Sequence, residues 1–310
     1  MKVLVTGSTG FVGRYVVREL LKRKYRIICP VRNESKAKAL FGEDVTIEWV
    51  NFEDVDSIRV VLEEHEPDAV IHLIGILFEI KSKGFTFEKV HKEFTENIYK
   101  ACEGLPVKKF IYMSALGTSP KAPSKYHKTK YEAEIIVKNG ELPYTIFRPS
   151  LIVGPEQKLF FDMDRISKFL RIIMLPDADS YMFQPIDVRD VACAFVTAVF
   201  NRETDNKVYE LCGPETVTMK DILDRFFNAI NRKVLILSAP KNLMYYLGKI
   251  AEAFLEPPPF SSDQILMMWR DNVCCEDEAE VFDFEKYCGK PPTDFESAIG
   301  WSVLGYHKLR

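Results

Sequence analysis

Short apolar runs alternate with helical patterns through the first half of the chain. Buried strands are predicted by the runs KVLVTG (2–7), YRIICPVR (25–32), VTIEWVNF (45–52), AVIHLIG (69–75), KKFIYMSALG (108–117) and YTIFRPSLIVGP (144–155). Between them, apolar side chains recur at helical spacing in FVGRYVVRELLKRK (11–24), in residues 88–103 and in KYHKTKYEAEIIVKNG (125–140). Strands that alternate with helices in this way are typical of βαβ units. The pattern therefore predicts an α/β fold with a doubly wound parallel sheet.

The second half of the chain follows a less regular pattern. A segment rich in Pro and Phe (158–183) precedes QPIDVRDVACAFVTAVF (184–200), which predicts a helix entry. The run KVYELC (207–212) predicts a seventh strand, and a Gly-Pro turn and a further helix follow it. The remaining sequence is mostly helical with proline interruptions, and we find no internal repeat.

These patterns divide the chain into two regions. We expect residues 1–155 to form the main domain, with residues 184–212 returning to it. Residues 156–183 and 213–310 are expected to form a small, mostly helical C-terminal cap on the substrate side. The N-terminus enters a strand at once, so we expect no signal peptide. No run of about 18 uncharged apolar residues occurs, so we expect no membrane-spanning segment.

Composition and cysteine usage narrow the class of protein. The 310 residues are 47% hydrophobic and 28% charged, with a net charge of −3, which argues against a nucleic-acid-binding protein. The seven cysteines include no Cys-x-x-Cys pair and no metal-ligand spacing, so we interpret them as reduced core thiols of a cytoplasmic protein. The neighbouring Cys274 and Cys275 are expected to be half-buried thiols at a helix end.

A glycine-rich loop separates the first strand from the first helix. Gly7 allows a tight exit from the strand, Gly10 lets backbone N–H groups approach a pyrophosphate, and Gly13 permits close packing of helix on strand. The helix N-terminus adds partial positive charge, and Thr6, Ser8 and Thr9 add hydroxyl groups. The spacing in this context predicts a dinucleotide site of the Rossmann type. Its predicted residues are Gly7, Ser8, Thr9, Gly10, Phe11, Val12, Gly13 and Arg14.

The end of the second strand indicates which dinucleotide binds. An NAD site usually carries an acidic residue there for the ribose hydroxyl, whereas this chain has Arg32 and no acid before Glu34. An arginine can hold the 2′-phosphate of NADP, with Lys36 and Arg14 as helpers, although a solvated strand-end arginine is the alternative. We therefore expect NADP(H) in preference to NAD(H). Asn51 after the third strand and Gly75 after the fourth are also assigned to the cofactor site.

Tyr126 and Lys130 lie four residues apart and so share one face of a predicted helix. Chance supplies about one such pair in a chain of this composition, and a second pair, Tyr245 and Lys249, occurs later. The first pair follows a strand that ends near Ser114, where open α/β sheets bind ligands. We therefore interpret it as part of the site and the second pair as surface packing.

The motifs TGSTGFVG, HLIG, SALG, Tyr126-x-x-x-Lys130 and RPSLIVGP together resemble the short-chain dehydrogenase/reductase superfamily, in its extended or atypical branch. More narrowly, QPIDVRDVACAF, YELCGPE and TDFESAIGW resemble the subgroup that contains the NAD(P)H-binding accessory subunit of respiratory complex I and its bacterial relatives. The resemblance covers essentially the whole chain. It implies that Tyr126 is the general acid/base, that Lys130 lowers its pKa and holds the nicotinamide ribose, and that Ser114 orients the substrate carbonyl.

The chain also departs from the pattern of that superfamily. The stretch HKEFTEN stands where extended members often carry N-x-x-G-T-x-N, so His91 and Phe94 are substitutions. We interpret His91 as a packing or cofactor-wall residue. Complex-I-like members often lack the full catalytic set, which leaves a non-catalytic cofactor-binding protein with a structural, assembly or sensing role as an alternative.

The predicted substrate side is apolar. Its large side chains are Phe160, Phe161, Met163, Phe169, Met174, Tyr181 and Phe183, and Met267, Met268 and Trp269 follow later in the chain. They suit a lipophilic substrate, a contact of the cap with a protein or membrane surface, or the core of a small cap. We expect an NADP(H)-dependent oxidoreductase acting on a carbonyl or alcohol, in a cytoplasmic protein that can lie at a membrane. A sugar-nucleotide epimerase or dehydratase is a further alternative that the apolar segment disfavours.

Overall fold

The computed structural model describes residues 1–256, 258–275 and 279–309, and it does not describe the side chains of residues 169, 170 and 307–309. Its strands are β1 (Lys2–Thr6), β2 (Arg26–Val31), β3 (Thr46–Trp49), β4 (Ala69–His72), β5 (Lys109–Met113), β6 (Tyr144–Pro149), β7 (Ile152–Val153), β8 (Ile172–Pro176), β9 (Met182–Phe183), β10 (Ile186–Asp187), β11 (Lys207–Leu211), β12 (Val217–Thr218), β13 (Leu235–Ala239) and β14 (Glu280–Val281). Its α-helices are α1 (Phe11–Lys22), α2 (Glu34–Phe41), α3 (Val55–His65), α4 (Phe94–Cys102), α5 (Lys125–Asn139), α6 (Lys158–Leu170), α7 (Val188–Ala198), α8 (Met219–Ala229), α9 (Lys241–Phe254), α10 (Ser262–Met267), α11 (Phe284–Cys288) and α12 (Phe295–Leu309). A π-helical turn (Glu88–Glu93) leads into α4, and short 3₁₀ turns cover Lys81–Lys83 and Arg202–Thr204.

One eight-stranded sheet organises the molecule. Its strand order is β14-β11-β6-β5-β4-β1-β2-β3, and all of its pairings are parallel. The inner strands β1 and β4 are almost entirely buried, because helices cover both faces of the sheet. The predicted doubly wound parallel sheet is therefore confirmed.

Each face of the sheet has its own hydrophobic core. On one face α1 packs on α7, and α7 packs on α11, over the side chains of β1, β2 and β6. On the other face α3, α4 and α5 pack against one another over β4 and β5. This arrangement brings the start of α1 and the start of α5 to the carboxyl ends of the central strands, where open parallel sheets bind ligands.

The C-terminal part of the chain forms a lobe with a separate core. Helices α6, α8 and α12 pack together there, and β8 pairs in parallel with β13. Within the stretch 213–310 that we assign to the cap, β14 pairs with β11 and α11 packs on α7, so this segment extends the main sheet. None of the helices in the described residues is sufficiently long and apolar to traverse a bilayer.

The cysteine pairing differs from the prediction. Cys193 is bonded to Cys288 and Cys212 to Cys274, with Cα atoms 6.2 and 6.1 Å apart. The expectation of seven reduced thiols was therefore wrong for four of them, because α11 and the segment after Asn272 return to the main sheet. The expected half-buried thiols at a helix end are also corrected, since Cys274 is bonded to Cys212 and Cys275 is exposed in a loop.

Candidate functional site

The glycine loop between β1 and α1 leaves room only for backbone. Gly7 has a φ of +70°, and a Cβ on Gly13 would lie 2.2 Å from the carbonyl oxygen of Gly7. A Cβ on Gly10 would lie 3.0 Å from that same oxygen, which accepts the Gly10 N–H at 2.9 Å. Gly10 is also the N-cap of α1, and the first turn of this helix holds no acidic side chain. The loop therefore fits the pyrophosphate of a dinucleotide at the helix N-terminus.

The side chains of this loop are engaged with the protein, which leaves its backbone N–H groups as the donors available to a phosphate. Ser8 is fully buried beside the thiol of Cys29, where burial raises the pKa of that thiol to about 12. Val12 packs in the core, and a Cβ on Gly154 would lie 2.8 Å from the ring of Phe11. The predicted contribution of these residues to phosphate binding therefore comes from their backbone N–H groups.

Basic side chains gather where the adenosine half of a dinucleotide would lie. Burial, followed by the charge of Arg14, lowers the pKa of Lys36, so the two cations are close enough to repel. The Arg14 guanidinium also lies 3.5 Å from the carboxylate of Glu156. Arg32 lies with its guanidinium carbon 4.6 Å from the centre of the Phe85 ring. Binding of an anion such as a phosphate would stabilise these neighbouring cations.

Asn51 lies at the end of the loop after β3, at the same edge of the sheet. Its side-chain oxygen accepts the backbone N–H of Glu53 at 3.1 Å, and its own N–H donates to the Ser57 hydroxyl. The side chain is exposed, so its amide nitrogen can still donate to an adenine base.

The segment after β4 connects the glycine loop to the Tyr–Lys helix. A Cβ on Gly7 would lie 2.9 Å from the backbone of Leu73, and a Cβ on Gly75 would lie 3.2 Å from the Lys130 ammonium. The two glycines thus stand at opposite ends of one short wall. A dinucleotide bound along this wall with its pyrophosphate at Gly7 would bring its second ribose toward Lys130.

The side chain of Lys130 is almost completely buried at the carboxyl end of β5. Its ammonium donates to the carbonyl oxygen of Met113 at 2.8 Å and lies 5.0 Å from the centre of the Tyr112 ring. Burial lowers the pKa of Lys130 to about 7. A group with this pKa gains or loses its charge readily near neutral pH when a ligand changes its surroundings.

Tyr126 lies one helical turn before Lys130 in an aromatic and apolar pocket. Its ring meets those of His91 and Phe87 edge-on, with centroids 5.2 and 5.9 Å apart. Ala115 and Met267 pack against it as well. Burial raises the pKa of Tyr126 well above its ordinary value. Among the described residues no hydrogen bond of the Tyr126 hydroxyl occurs, so the group keeps its proton at neutral pH and can give it to a substrate.

Ser114 is close to α5 but faces a different partner. Its hydroxyl donates to Thr118 at 3.3 Å and also bonds to the carboxylate of Glu134. Among the described residues no hydrogen bond joins Ser114 to Tyr126, whereas the next residue, Ala115, contacts the Tyr126 pocket. Tyr126 and Lys130 are thus both buried one turn apart on α5, with the Lys130 ammonium bonded to Met113, whereas Ser114 lies with Glu134.

Glu134 itself anchors α5 to the sheet. It receives two hydrogen bonds from Arg148 of β6, each 2.8 Å long, and a third from Lys138 at 3.1 Å. Burial alone would raise the pKa of Glu134, but Arg148 and Lys138 hold it below its ordinary value. This pair fixes the helix that carries Tyr126 and Lys130.

His91 forms one wall of the site. The π-helical turn Glu88–Glu93 places it so that its Nδ1 bonds to the Thr129 hydroxyl at 2.9 Å and its Nε2 accepts the Ile76 N–H at 3.1 Å. Burial drives the pKa of His91 well below its ordinary value. A neutral, fully bonded imidazole has no free nitrogen for acid–base chemistry, and the interpretation of His91 as a packing or cofactor-wall residue stays a prediction.

The C-terminal lobe closes over the start of α5. Asp263 of α10 accepts the backbone N–H groups of Lys125 at 2.7 Å and Tyr126 at 3.1 Å. Met267, one turn further along, packs against the cluster that contains Tyr126. No local pattern singles out Asp263, because its partners are the backbone of a helix more than 130 residues away.

The apolar segment predicted to line the substrate side divides between core and surface. Phe160 and Phe183 are buried in the core of the C-terminal lobe, together with the partly buried Met163, Tyr181 and Met268. Phe161 packs on Tyr306, Trp269 packs beside α9, and Met174 is half exposed. The side chain of Phe169 lies outside the described residues. Met267 is therefore the member of this set that reaches the Tyr126 pocket in the described part of the chain.

Sequence comparisons agree with this arrangement. Residues 3–212 match the model of the NAD dependent epimerase/dehydratase family. The 40 kDa subunit of mitochondrial NADH-ubiquinone oxidoreductase from Neurospora crassa is 28% identical, over 99% of this chain and 78% of that protein. The chloroplastic divinyl chlorophyllide a 8-vinyl-reductase of Zea mays is 25% identical, over 78% of this chain and 62% of that protein.

Solved structures share the fold at lower identity. UDP-glucose 4-epimerase from Thermotoga maritima superposes with a TM-score of 0.75 and 18% identity, covering 100% of this chain and 99% of that chain. The corresponding enzyme from Thermus thermophilus gives a TM-score of 0.73 at 18% identity, with complete coverage of both chains. The family model covers more than half of the sequence, and its matched residues hold the glycine loop, Tyr126 and Lys130. This chain belongs to the NAD dependent epimerase/dehydratase family.

Proposed function

We propose that this protein is an NADP(H)-dependent oxidoreductase that reduces the carbonyl group of a lipophilic substrate. One observation carries the proposal: the wall from Gly7 to Gly75 ends at the buried ammonium of Lys130, one helical turn from the buried hydroxyl of Tyr126. A phosphate site, a ribose-binding cation and a proton donor thus follow one another along the carboxyl edge of the sheet. This order is the one that nicotinamide chemistry requires.

The residues have complementary roles in that reaction. A bound nicotinamide supplies the hydride that joins the carbonyl carbon. Tyr126 gives its phenolic proton to the carbonyl oxygen, so the product is an alcohol and the tyrosinate is reprotonated from solvent. Burial raises the pKa of Tyr126, so the phenol carries its proton before hydride transfer but is a weak acid until a neighbouring charge stabilises the tyrosinate. Lys130, when protonated, stabilises the tyrosinate that remains.

The preference for NADP(H) rests on the cation cluster at the adenosine end. Arg14 and Lys36 repel each other, and Arg32 stacks on Phe85 next to the end of β2. A 2′-phosphate relieves that repulsion, whereas a 2′-hydroxyl does not. Replacing Arg32 with Glu should therefore weaken NADPH binding by at least about tenfold and leave NADH binding nearly unchanged.

Turnover can be tested with purified protein, NADPH and a panel of lipophilic aldehydes and ketones. Loss of NADPH absorbance together with formation of the alcohol is expected. Tyr126→Phe should abolish turnover while the affinity for NADPH, measured by fluorescence, stays the same. Tyr131→Phe is the matched control, because Tyr131 lies on the same helix and is partly exposed. Full activity in Tyr126→Phe would overturn the assignment.

A second candidate function is a cofactor-binding protein without turnover, which stabilises or assembles a larger complex or senses NADPH. The specific observation in its favour is that Tyr126 lies in an apolar cluster with Phe87 and Ala115, and that among the described residues its hydroxyl forms no hydrogen bond. The relatives from Neurospora crassa and Arabidopsis thaliana are named as subunits of NADH dehydrogenase complexes. This function predicts tight NADPH binding and no alcohol from any carbonyl in the panel, with Tyr126→Phe behaving as wild type.

A further inference from the structure

The C-terminal lobe exposes an unusual number of large apolar side chains on one helix. On α9 the exposed residues are Leu243 (49%), Tyr246 (63%), Leu247 (41%), Ile250 (57%) and Phe254 (83%). Their spacing of three and four residues places them on one face, while Met244 and Gly248 are buried on the opposite face. Isolated exposed apolar residues are ordinary, but a helix-long stripe of them marks a binding surface.

A second apolar face lies in the same lobe. In the β8–β13 pair, Leu235 stands opposite Ile172 and Leu237 opposite Met174. All four side chains are 41–56% exposed, whereas the alternate residues Ile173 and Ile236 are buried. Helix α9 begins directly after β13 and packs on β8. We call the α9 stripe and this sheet face together the apolar surface.

Positive charge borders the apolar surface. Arg171 and Lys233 are exposed at the starts of β8 and β13, and Lys249 is exposed on α9. Among the described residues none of these three forms an ion pair with a carboxylate. At the end of α9 the negative charges of Glu252 and Glu256 offset that of Lys249; Glu252 accepts the Ser262 N–H at 2.7 Å and Glu256 the Ser82 N–H at 3.0 Å. The positive charge at the border therefore comes from Arg171 and Lys233, at the starts of β8 and β13.

We propose that the apolar surface seats the protein on an anionic lipid bilayer. Leucine, isoleucine, methionine and phenylalanine enter the acyl-chain boundary, Tyr246 lies at headgroup level, and the flanking cations meet lipid phosphates. A helix of 14 residues is about 21 Å long and suits a position in the plane of the membrane. The cations Arg171 and Lys233 favour this occupant over a second copy of the chain, because lipid phosphates supply the negative charge with which neither pairs among the described residues.

The test is co-flotation of the full chain with vesicles. Binding is expected to vesicles of phosphatidylcholine mixed with phosphatidylglycerol, to be weaker with phosphatidylcholine alone, and to fall as salt is added. Ile250→Glu and Phe254→Glu should each weaken binding by about tenfold or more, because each removes a large apolar side chain from the membrane. Val60→Glu is the matched control, since Val60 is 61% exposed on α3 of the main domain.

The cations give an independent test. Arg171→Gln and Lys233→Gln should each weaken binding to the anionic vesicles by about fivefold, because each cation near an anionic surface contributes a comparable share of affinity. Lys24→Gln, an exposed lysine in the main domain, should have no effect. Thermal unfolding of every variant checks that it is folded. If a glutamate variant is not folded, these glutamine variants still test the proposal.

Two results would overturn the proposal. One is a wild-type protein that fails to float with either kind of vesicle. The other is a concentration-dependent dimer in sedimentation velocity that Phe254→Glu dissociates, since the surface would then bind a second copy. Tyr126→Phe should float like the wild type, so a failure of this proposal and a failure of the proposed reaction are separate outcomes.

Discussion

The Glu134–Arg148 pair gives the sharpest prediction about how the site is held. Both side chains are almost completely buried, and two parallel hydrogen bonds of 2.8 Å join them. Glu134→Gln keeps the shape of the side chain but removes its charge. Arg148 then loses the charged acceptor of both these hydrogen bonds, and breaking a buried pair in this way costs roughly 3–5 kcal/mol.

That cost translates into a measurable change in thermal stability. At about 2.1 cal/mol/K per residue, the unfolding entropy of 310 residues is roughly 0.65 kcal/mol/K, so the midpoint should fall by about 5–8 °C. Because the same pair anchors α5, Glu134→Gln should also lower turnover through a misplaced Tyr126. Differential scanning calorimetry measures the first effect and the carbonyl assay the second.

The matched control is Glu96→Gln, which breaks the exposed ion pair of Glu96 with Lys100, 2.6 Å apart on α4. An exposed pair contributes less than about 1 kcal/mol, so the midpoint should move by no more than about 2 °C. Equal shifts for the two variants would refute the reasoning that the buried pair anchors α5.

The pH dependence supplies a second check on the same residue. The pKa of Glu134 is held below its ordinary value, so its charge stabilises the fold above the pKa of an unfolded glutamate. This stabilisation is lost as the pH falls through the folded pKa. The difference in free energy of unfolding between wild type and Glu134→Gln should therefore shrink in acid, and a constant difference would contradict the assignment.

Further predictions concern the other parts of the site. Gly13→Ala should abolish NADPH binding and destabilise the fold by about 2 kcal/mol or more, because its Cβ would meet a carbonyl oxygen at 2.2 Å; normal NADPH fluorescence would contradict this. The pKa of Lys130 is lowered from 10.5 to about 7, so the unfolded chain binds more protons in that window and wild-type stability should rise with pH from 7 to 10.5. Lys130→Met should flatten this rise in urea unfolding, and parallel curves would argue against a buried ammonium. Asp263→Ala should lower the free energy of unfolding by about 1–2 kcal/mol, because two N–H groups at the start of α5 lose their acceptor. An unchanged urea midpoint would show that these two hydrogen bonds do not stabilise the fold. Ala115→Ser should raise kcat by about tenfold if the Tyr126 pocket reduces carbonyls, since the added hydroxyl can hold the substrate oxygen, and an unchanged kcat would show that the substrate oxygen does not lie beside residue 115.

The glycine loop and the Tyr–Lys helix could be predicted because their signals are local. Gly7, Gly10 and Gly13 act within one turn of chain, and Tyr126 and Lys130 share a helix face whatever the rest of the fold does. To predict the partner of Ser114, one must know in which direction each side chain at the end of β5 points, and the sequence does not show this. Successive residues at a strand end point in different directions, so one position decides whether a hydroxyl meets Tyr126 or Glu134.

Long-range contacts account for the remaining differences. The bond between Cys212 and Cys274 spans 62 residues and that between Cys193 and Cys288 spans 95, and no spacing rule identifies such partners. The exposed stripe on α9 has the apolar periodicity of an ordinary buried helix. The structure distinguishes the two, because α9 is packed against the protein on one side and, among the described residues, nothing covers its other side.

The position of Asp263 and Met267 has a consequence for how relatives of this chain diverge. The family model ends at residue 212, yet Asp263 accepts the first N–H groups of the helix that carries Tyr126, and Met267 packs against the cluster that contains Tyr126. Two proteins can therefore share every matched motif and still differ in what lies beside this tyrosine. Chemistry in this family can change by exchanging a short helix of the C-terminal lobe while the cofactor half of the molecule stays constant.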